Sequence, residues 1–142
     1  DTQSDLAHLV ESENLQSLVH FPGILPREEI PRLISESLLG IAPLKKLQSL
    51  EYAAPTKVYE YMACGIPFIG CGSREILEIA DNSCAGMIAE NSPQAIANAI
   101  LALINNPEKR EEMGTSGRKF VEQGYTRKAI ATKLKTEIER IS

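Results

Sequence analysis

The sequence has no C-x-x-C pair, and its three cysteines, Cys64, Cys71 and Cys84, have only His8 and His20 to join them in a metal site. Zinc spacing is absent, and the odd cysteine count gives a disulfide scaffold no support. Three free thiols in apolar surroundings suit a reducing cytosol, where cysteine behaves as a small hydrophobe, so a cytoplasmic location is expected. No apolar run approaches the ~18 residues of a membrane span, and no charged-then-apolar signal segment opens the chain. The expectation is a soluble, unprocessed protein. Positive charge is scarce: 15 Lys and Arg against 19 Asp and Glu give a net charge of −4, which argues against nucleic acid as a partner, since phosphate contacts need a basic face. No G-x-G-x-x-G follows any strand-like run, which sets a dinucleotide oxidoreductase aside. Internal repeats, low-complexity tracts and linkers are lacking too.

What is present is globular. At 142 residues, 43% hydrophobic and 24% charged, the chain has the size and composition of one compact domain. A polar start, Asp1-Thr2-Gln3-Ser4, leads straight into a helix-like stretch, so a piece of something longer is expected. Charge is uneven, because residues 108–142 hold nine bases and six acids against six and thirteen before them. That basic end reads as a solvated helical face, with a face toward an anionic membrane or a partner as the alternative.

Two hydrophobic periods alternate along the chain. Short apolar runs at 18–21, 38–42, 67–70 and 85–89 predict four strands. Helical spacing predicts helices around Leu6 to Val10, over Glu28–Glu36, Pro55–Cys64 and Arg74–Ala80, and from a Ser92 cap with Pro93 to Ile104. Two more follow, one carrying Met113, Phe120 and Val121 and one over Thr126–Ile141. Gly114 and Gly117 predict a kink or break, since each costs about 1 kcal/mol inside a helix. Strands interleaved with helices predict an α/β fold, a parallel sheet covered on both faces.

Open parallel sheets bind ligands at the carboxyl ends of their strands, so the stretch Ala53–Pro67 is the most informative. Gly65 is the left-handed residue expected after a helix, and Pro67 prevents continuation. The start of this helix carries free N–H groups and the positive dipole end, yet holds Thr56 and Lys57 where an isolated helix favours an acid. A bound anion would resolve that mismatch; a lysine reaching into water is the plainer alternative. Glu60, one turn on, either pairs with Lys57 at i,i+3 or offers an acceptor-only carboxylate to the two hydroxyls of a ribose. His20 reads as a strand histidine, Arg74 as part of a helix cap, and Tyr59, Tyr61 and Met62 as packing.

The run P-T-K-V-Y-E-Y-M-A-C-G-I-P-F-I, preceded by V-H-F-P-G-I-L and G-I-A-P-L and followed by A-G-M-I-A-E-N-S-P-Q-A-I-A-N-A-I and G-R-K-F-V-E, resembles the C-terminal domain of GT-B glycosyltransferases of group 1, or family GT4. The likeness covers about Asp5 to Ile141. It implies a Rossmann-like domain that binds a nucleotide-sugar donor, with UDP as its nucleotide and no metal, while an N-terminal domain across a cleft holds the acceptor. Residues 1–142 would then be a single, partial C-terminal domain. The N-terminal half is missing, as are the first strand and helix with their Gly-Arg…Lys pair. By position, Glu60 matches the second glutamate of the E-x7-E motif, which binds ribose, and Pro55, Thr56 and Lys57 match the stretch that meets the diphosphate. Gly23, Ile24 and Leu25 match the turn along the base. The first glutamate falls on Tyr52, with Glu51 one place off.

The leading expectation is thus the donor-binding part of a hexosyltransferase-type enzyme, inactive by itself, cytoplasmic or peripheral at the inner membrane face. Two alternatives stand beside it: a nucleotide-binding or partner-docking module without chemistry, and a UDP-sugar 2-epimerase of the same architecture. No catalytic residue is assigned.

Overall fold

A computed structural model describes residues 2–44, 53 and 55–141. Three strands, β1 (Gly40–Pro43), β2 (Phe68–Cys71) and β3 (Gly86–Ile88), form a parallel sheet in the order β1-β2-β3. Helices α1 (Thr2–Ser12) and α2 (Ile30–Ser35) precede the sheet. Each strand then leads to a helix: α3 (Thr56–Ala63), α4 (Arg74–Ser83) and α5 (Pro93–Ile104). The chain closes with α6 (Pro107–Gly124) and α7 (Arg127–Ile141). The fold is α/β, a Rossmann-like parallel sheet flanked by helices.

The period-two alternation of the central strand explains why both faces are covered. Phe68 points into a core with Ala42, Val58, Met62, Ile76, Ile79, Ala85 and Val121, while its neighbour Ile69 points into a second core with Ala99, Leu103 and Met113. All four residues of β2 are buried, as a strand sandwiched between helical layers must be. Among the described residues β1 has β2 on one side only and ends in Pro43, whose missing N–H is tolerated at an edge.

Two expectations are corrected. The predicted first strand at 18–21 is irregular: the Leu18 and Val19 N–H groups turn back to the Leu15 carbonyl at 2.9 and 3.0 Å, and Leu18 and Phe21 are exposed. A strand exists only through a neighbour, and no described segment lies beside this run in the sheet. Nor do Gly114 and Gly117 break α6, which is continuous for 18 residues with both glycines buried. A Cβ at residue 114 would strike the Gly65 carbonyl, and one at 117 would lie 2.7 Å from Ala85 Cβ and 2.9 Å from Met62 Cγ. These glycines let α6 press onto the end of α3, and that packing outweighs their helix propensity.

The termini of α3 follow local rules. Gly65 has φ +73°, and the N–H groups of Gly65 and Ile66 return to Met62 and Tyr61 at 2.9 Å each, a Schellman end. At the other extreme of order, α7 buries no residue, and its stripe of Ile130, Leu134, Ile138 and Ile141 is exposed. Among the described residues no helix is long and apolar enough to cross a membrane. The three cysteines are free, but Cys84 is exposed at a left-handed helix end instead of sitting among apolar neighbours.

Candidate functional site

The carboxyl ends of β1, β2 and β3 face one edge, where Leu44, Gly72 and Asn91 leave the sheet. Backbone bonds keep these exits in register: Leu44 N–H donates to the Cys71 carbonyl at 3.1 Å and Ala89 N–H to the Gly70 carbonyl at 3.0 Å. Gly72, at φ +86°, has no room for a side chain, since a Cβ would land on the Leu44 carbonyl.

Helix α3 begins beyond this edge. Its N-cap is Pro55, extended at φ −66° and ψ 126°; among the described residues no side chain caps it, and no acid occupies its first turn. Pro55 supplies the pre-set extended φ of a cap position but no hydroxyl or carboxylate to accept the first N–H groups. Val58 and Met62 are fully buried and anchor one face of α3 in the core, which leaves Thr56, Lys57 and Glu60 exposed on the other. The alternative Lys57–Glu60 pair is not formed: among the described residues neither takes part in an ion pair, whereas α4 and α6 show Arg74–Glu78 and Arg118–Glu122 contacts at 3.0 Å. The structure therefore places Thr56, Lys57 and Glu60 on one exposed side of α3, with Pro55 preceding them as the cap residue.

Gly23, Ile24 and Leu25 lie in the irregular segment before α2. Gly23 has φ +69°, Ile24 is fully exposed and Leu25 is half-buried. Among the described residues no hydrogen bond ties this segment to α3. Glu51 and Tyr52, at and beside the position of the first motif glutamate, lie outside the described residues.

The remaining candidates take structural places. Tyr61 stacks over Gly40 and its hydroxyl donates to the Ile41 carbonyl at 3.4 Å, while Tyr59 meets the ring of Tyr125 at 5.1 Å. Burial raises the Tyr61 hydroxyl above its ordinary pKa, with the Glu60 carboxylate adding to the shift, so it stays a neutral donor. Burial likewise raises the Cys64 thiol, again with help from Glu60, which keeps it protonated and unreactive at neutral pH. Arg74 pairs with Glu78, and the α4 cap is Ser73, whose hydroxyl accepts the Ile76 N–H at 3.3 Å. His20 is exposed and belongs to no strand. Among the described residues no group of three His, Cys, Asp or Glu is placed to hold a metal ion.

Sequence reasoning passed over Asn91. It sits on the exit of β3, donates through Nδ2 to the Leu44 carbonyl at 2.9 Å and accepts the Cys71 thiol through Oδ1 at 3.5 Å. Its partners lie 47 and 20 residues away in the chain, so no local pattern points to it.

Comparison with known proteins places the chain in a family. The chain is 24% identical over its whole length to the amylovoran biosynthesis glycosyltransferase AmsK of Erwinia amylovora, covering 35% of that protein. It is also 24% identical over 96% of its length to the putative colanic acid biosynthesis glycosyltransferase WcaL of Salmonella typhimurium, covering 34% of it. The chain thus spans about a third of the length of these curated relatives. No solved structure matches it significantly. The family model described as glycosyl transferases group 1 matches residues 1–120, and with most of the chain inside that match, the protein belongs to the group 1 glycosyl transferase family.

Proposed function

We propose that this chain is the donor-binding part of the C-terminal domain of a GT4-type enzyme, and that it holds a nucleoside diphosphate sugar, with UDP as the nucleotide, at the start of α3. The observation that carries this reading is the uncapped start of α3 beside the carboxyl ends of a parallel sheet. Thr56 and Lys57 occupy the first turn there, and Glu60 follows on the same face. Free N–H groups, the positive end of the helix dipole and an ammonium together suit a diphosphate. One turn further, a carboxylate able to accept two hydrogen bonds suits a ribose diol. Gly23, Ile24 and Leu25 supply the wall against the base.

The chemistry asked of this part is electrostatic. As the bond from sugar to phosphate breaks, negative charge grows on the departing diphosphate, and donors already aimed at it stabilise the transition state more than the ground state. The acceptor and the groups that act on it belong to an N-terminal domain outside this chain, at a cytoplasmic location peripheral to the inner membrane face. Tyr52 in place of a glutamate favours a second reading, a nucleotide-binding module without chemistry of its own.

Titration of the chain with UDP by calorimetry tests the proposal. Binding that weakens in Glu60→Ala with the fold intact supports it, and equal affinity with and without Glu60 overturns the assignment of the ribose contact. Turnover of a UDP-sugar by the longer parent protein separates a transferase from a silent module.

A further inference from the structure

We propose that α7 is a lipid-docking helix, which lays its apolar stripe onto an anionic membrane surface. This rests on the peripheral location proposed for the enzyme, supplies the surface responsible for it, and makes no use of the donor site. Helices α3, α4, α5 and α6 each bury residues, whereas α7 buries none. Its Ile130, Leu134, Ile138 and Ile141 are 51, 61, 52 and 83% exposed, at spacings that put them on one side of a helix. The helix itself is well made. The Thr126 hydroxyl accepts the Ala129 N–H at 3.1 Å, and 15 residues make a rod about 22 Å long. Tyr125 at its root, itself exposed, shares a shallow groove with Ile130 and Leu134 and widens the apolar side.

Charge decides what suits this surface. Helix α7 carries Arg127, Lys128, Lys133, Lys135 and Arg140 against Glu137 and Glu139, in a chain whose net charge is −4. Both acids are paired within the helix, Lys135 with Glu139 at 3.7 Å and Arg140 with Glu137 at 3.5 Å, which leaves Arg127, Lys128 and Lys133 without an acid partner among the described residues. Lys133 lies 5.8 Å from the centre of the Tyr125 ring, an exposed contact that leaves its charge unneutralised. By helical position, Lys133 and Arg140 flank one side of the stripe and Lys128 and Lys135 the other. From there long side chains reach lipid phosphates while the isoleucines and the leucine enter the acyl boundary. Helix α1 is the internal contrast: it exposes Leu6 and Leu9 but has no lysine or arginine and includes Asp5 and Glu11, so it offers lipid apolar contact without attraction. A second copy of α7 suits the stripe less well. Steps of four, four and three residues between its apolar positions depart from the alternating pattern of a helix–helix seam, and two such helices would bring like charges together. A covering segment of the longer protein would need acids along both flanks, which an anionic leaflet presents everywhere.

Sedimentation of the chain with vesicles tests this, using phosphatidylglycerol and phosphatidylcholine in equal parts, and phosphatidylcholine alone. The chain should bind the anionic vesicles, release them as salt rises, and leave the neutral ones largely unbound. Leu134→Asp should abolish binding, and Lys128→Gln and Lys133→Gln should each lower it roughly fivefold. Leu9→Asp, on the exposed side of α1, should leave it unchanged. Because α7 buries nothing, its variants should keep the unfolding midpoint in urea, and UDP affinity should be the same in all of them. Anionic binding that survives every α7 variant makes the assignment to α7 wrong and lets the peripheral location stand. No binding by the wild type overturns both, and neither result touches the donor reading. Self-association of the chain that Leu134→Asp abolishes, read by light scattering without vesicles, would make the occupant a second copy. Binding by the chain but not by the longer parent protein would make it the rest of that protein. Either overturns the proposal.

Discussion

Helices α3 and α5 each follow a strand of the same parallel sheet and each begins near a proline, yet their starts are built differently. At α5, Ser92 is the N-cap, its hydroxyl accepts the Ala95 N–H at 3.3 Å, and Pro93 fills the first helical position. Helices α4 and α6 follow the same plan, with Ser73 and Asn106 accepting from Ile76 and Lys109 at 3.3 and 3.0 Å. At α3 the proline has moved to the cap itself, no side chain accepts, and the first turn carries a lysine. A capped start contributes about 1 kcal/mol to stability; among the described residues no side chain makes that contribution at the start of α3. On the proposed reading, stability and binding fall to different helix starts in one sheet.

Substitutions can break this contrast, and the largest effect is expected at Glu60. Glu60→Ala should weaken UDP by about 1.5–3 kcal/mol for each charge-assisted bond lost, less what water restores, while the unfolding midpoint in urea stays put. Gly72→Ala, forced to a positive φ and onto the Leu44 carbonyl, should lose about 1–3 kcal/mol of stability by chemical denaturation. Ser92→Ala should cost about 1 kcal/mol of stability and leave UDP affinity untouched. A Ser92 variant that weakened UDP, or a Glu60 variant that unfolded the chain, would erase the distinction between the two kinds of helix start.

The parts of the fold that could be read from the chain are those fixed by near neighbours. Gly65 after an apolar-faced helix foretells a left-handed end, and Ser92-Pro93 foretells a capped start, because each rule spans four or five residues. The misreadings are nonlocal. Leu18–Phe21 has strand composition, but a strand is a property of a pair, and this run has no partner in the described sheet. Gly114 and Gly117 look like breaks until the approach of Gly65, Ala85 and Met62 supplies the reason for them. For the proposed site, Thr56, Lys57 and Glu60 stand out in the sequence because a lysine in a first helical turn contradicts the dipole, and the resemblance to a family offers that contradiction a purpose. Asn91 was illegible, since its hydrogen bonds exist only where three strand ends meet.

The central claim, that the start of α3 is left open for a diphosphate, is tested most directly by the UDP affinity of Lys57→Glu. Reversal should weaken UDP strongly and barely change uridine, because the new carboxylate stands beside the phosphates and not the nucleoside. The unliganded chain should be equally stable or gain about 0.3–1 kcal/mol, since an acid suits the empty positive end of a helix. UDP affinity unchanged by that reversal would contradict the account and remove the phosphate site from this helix.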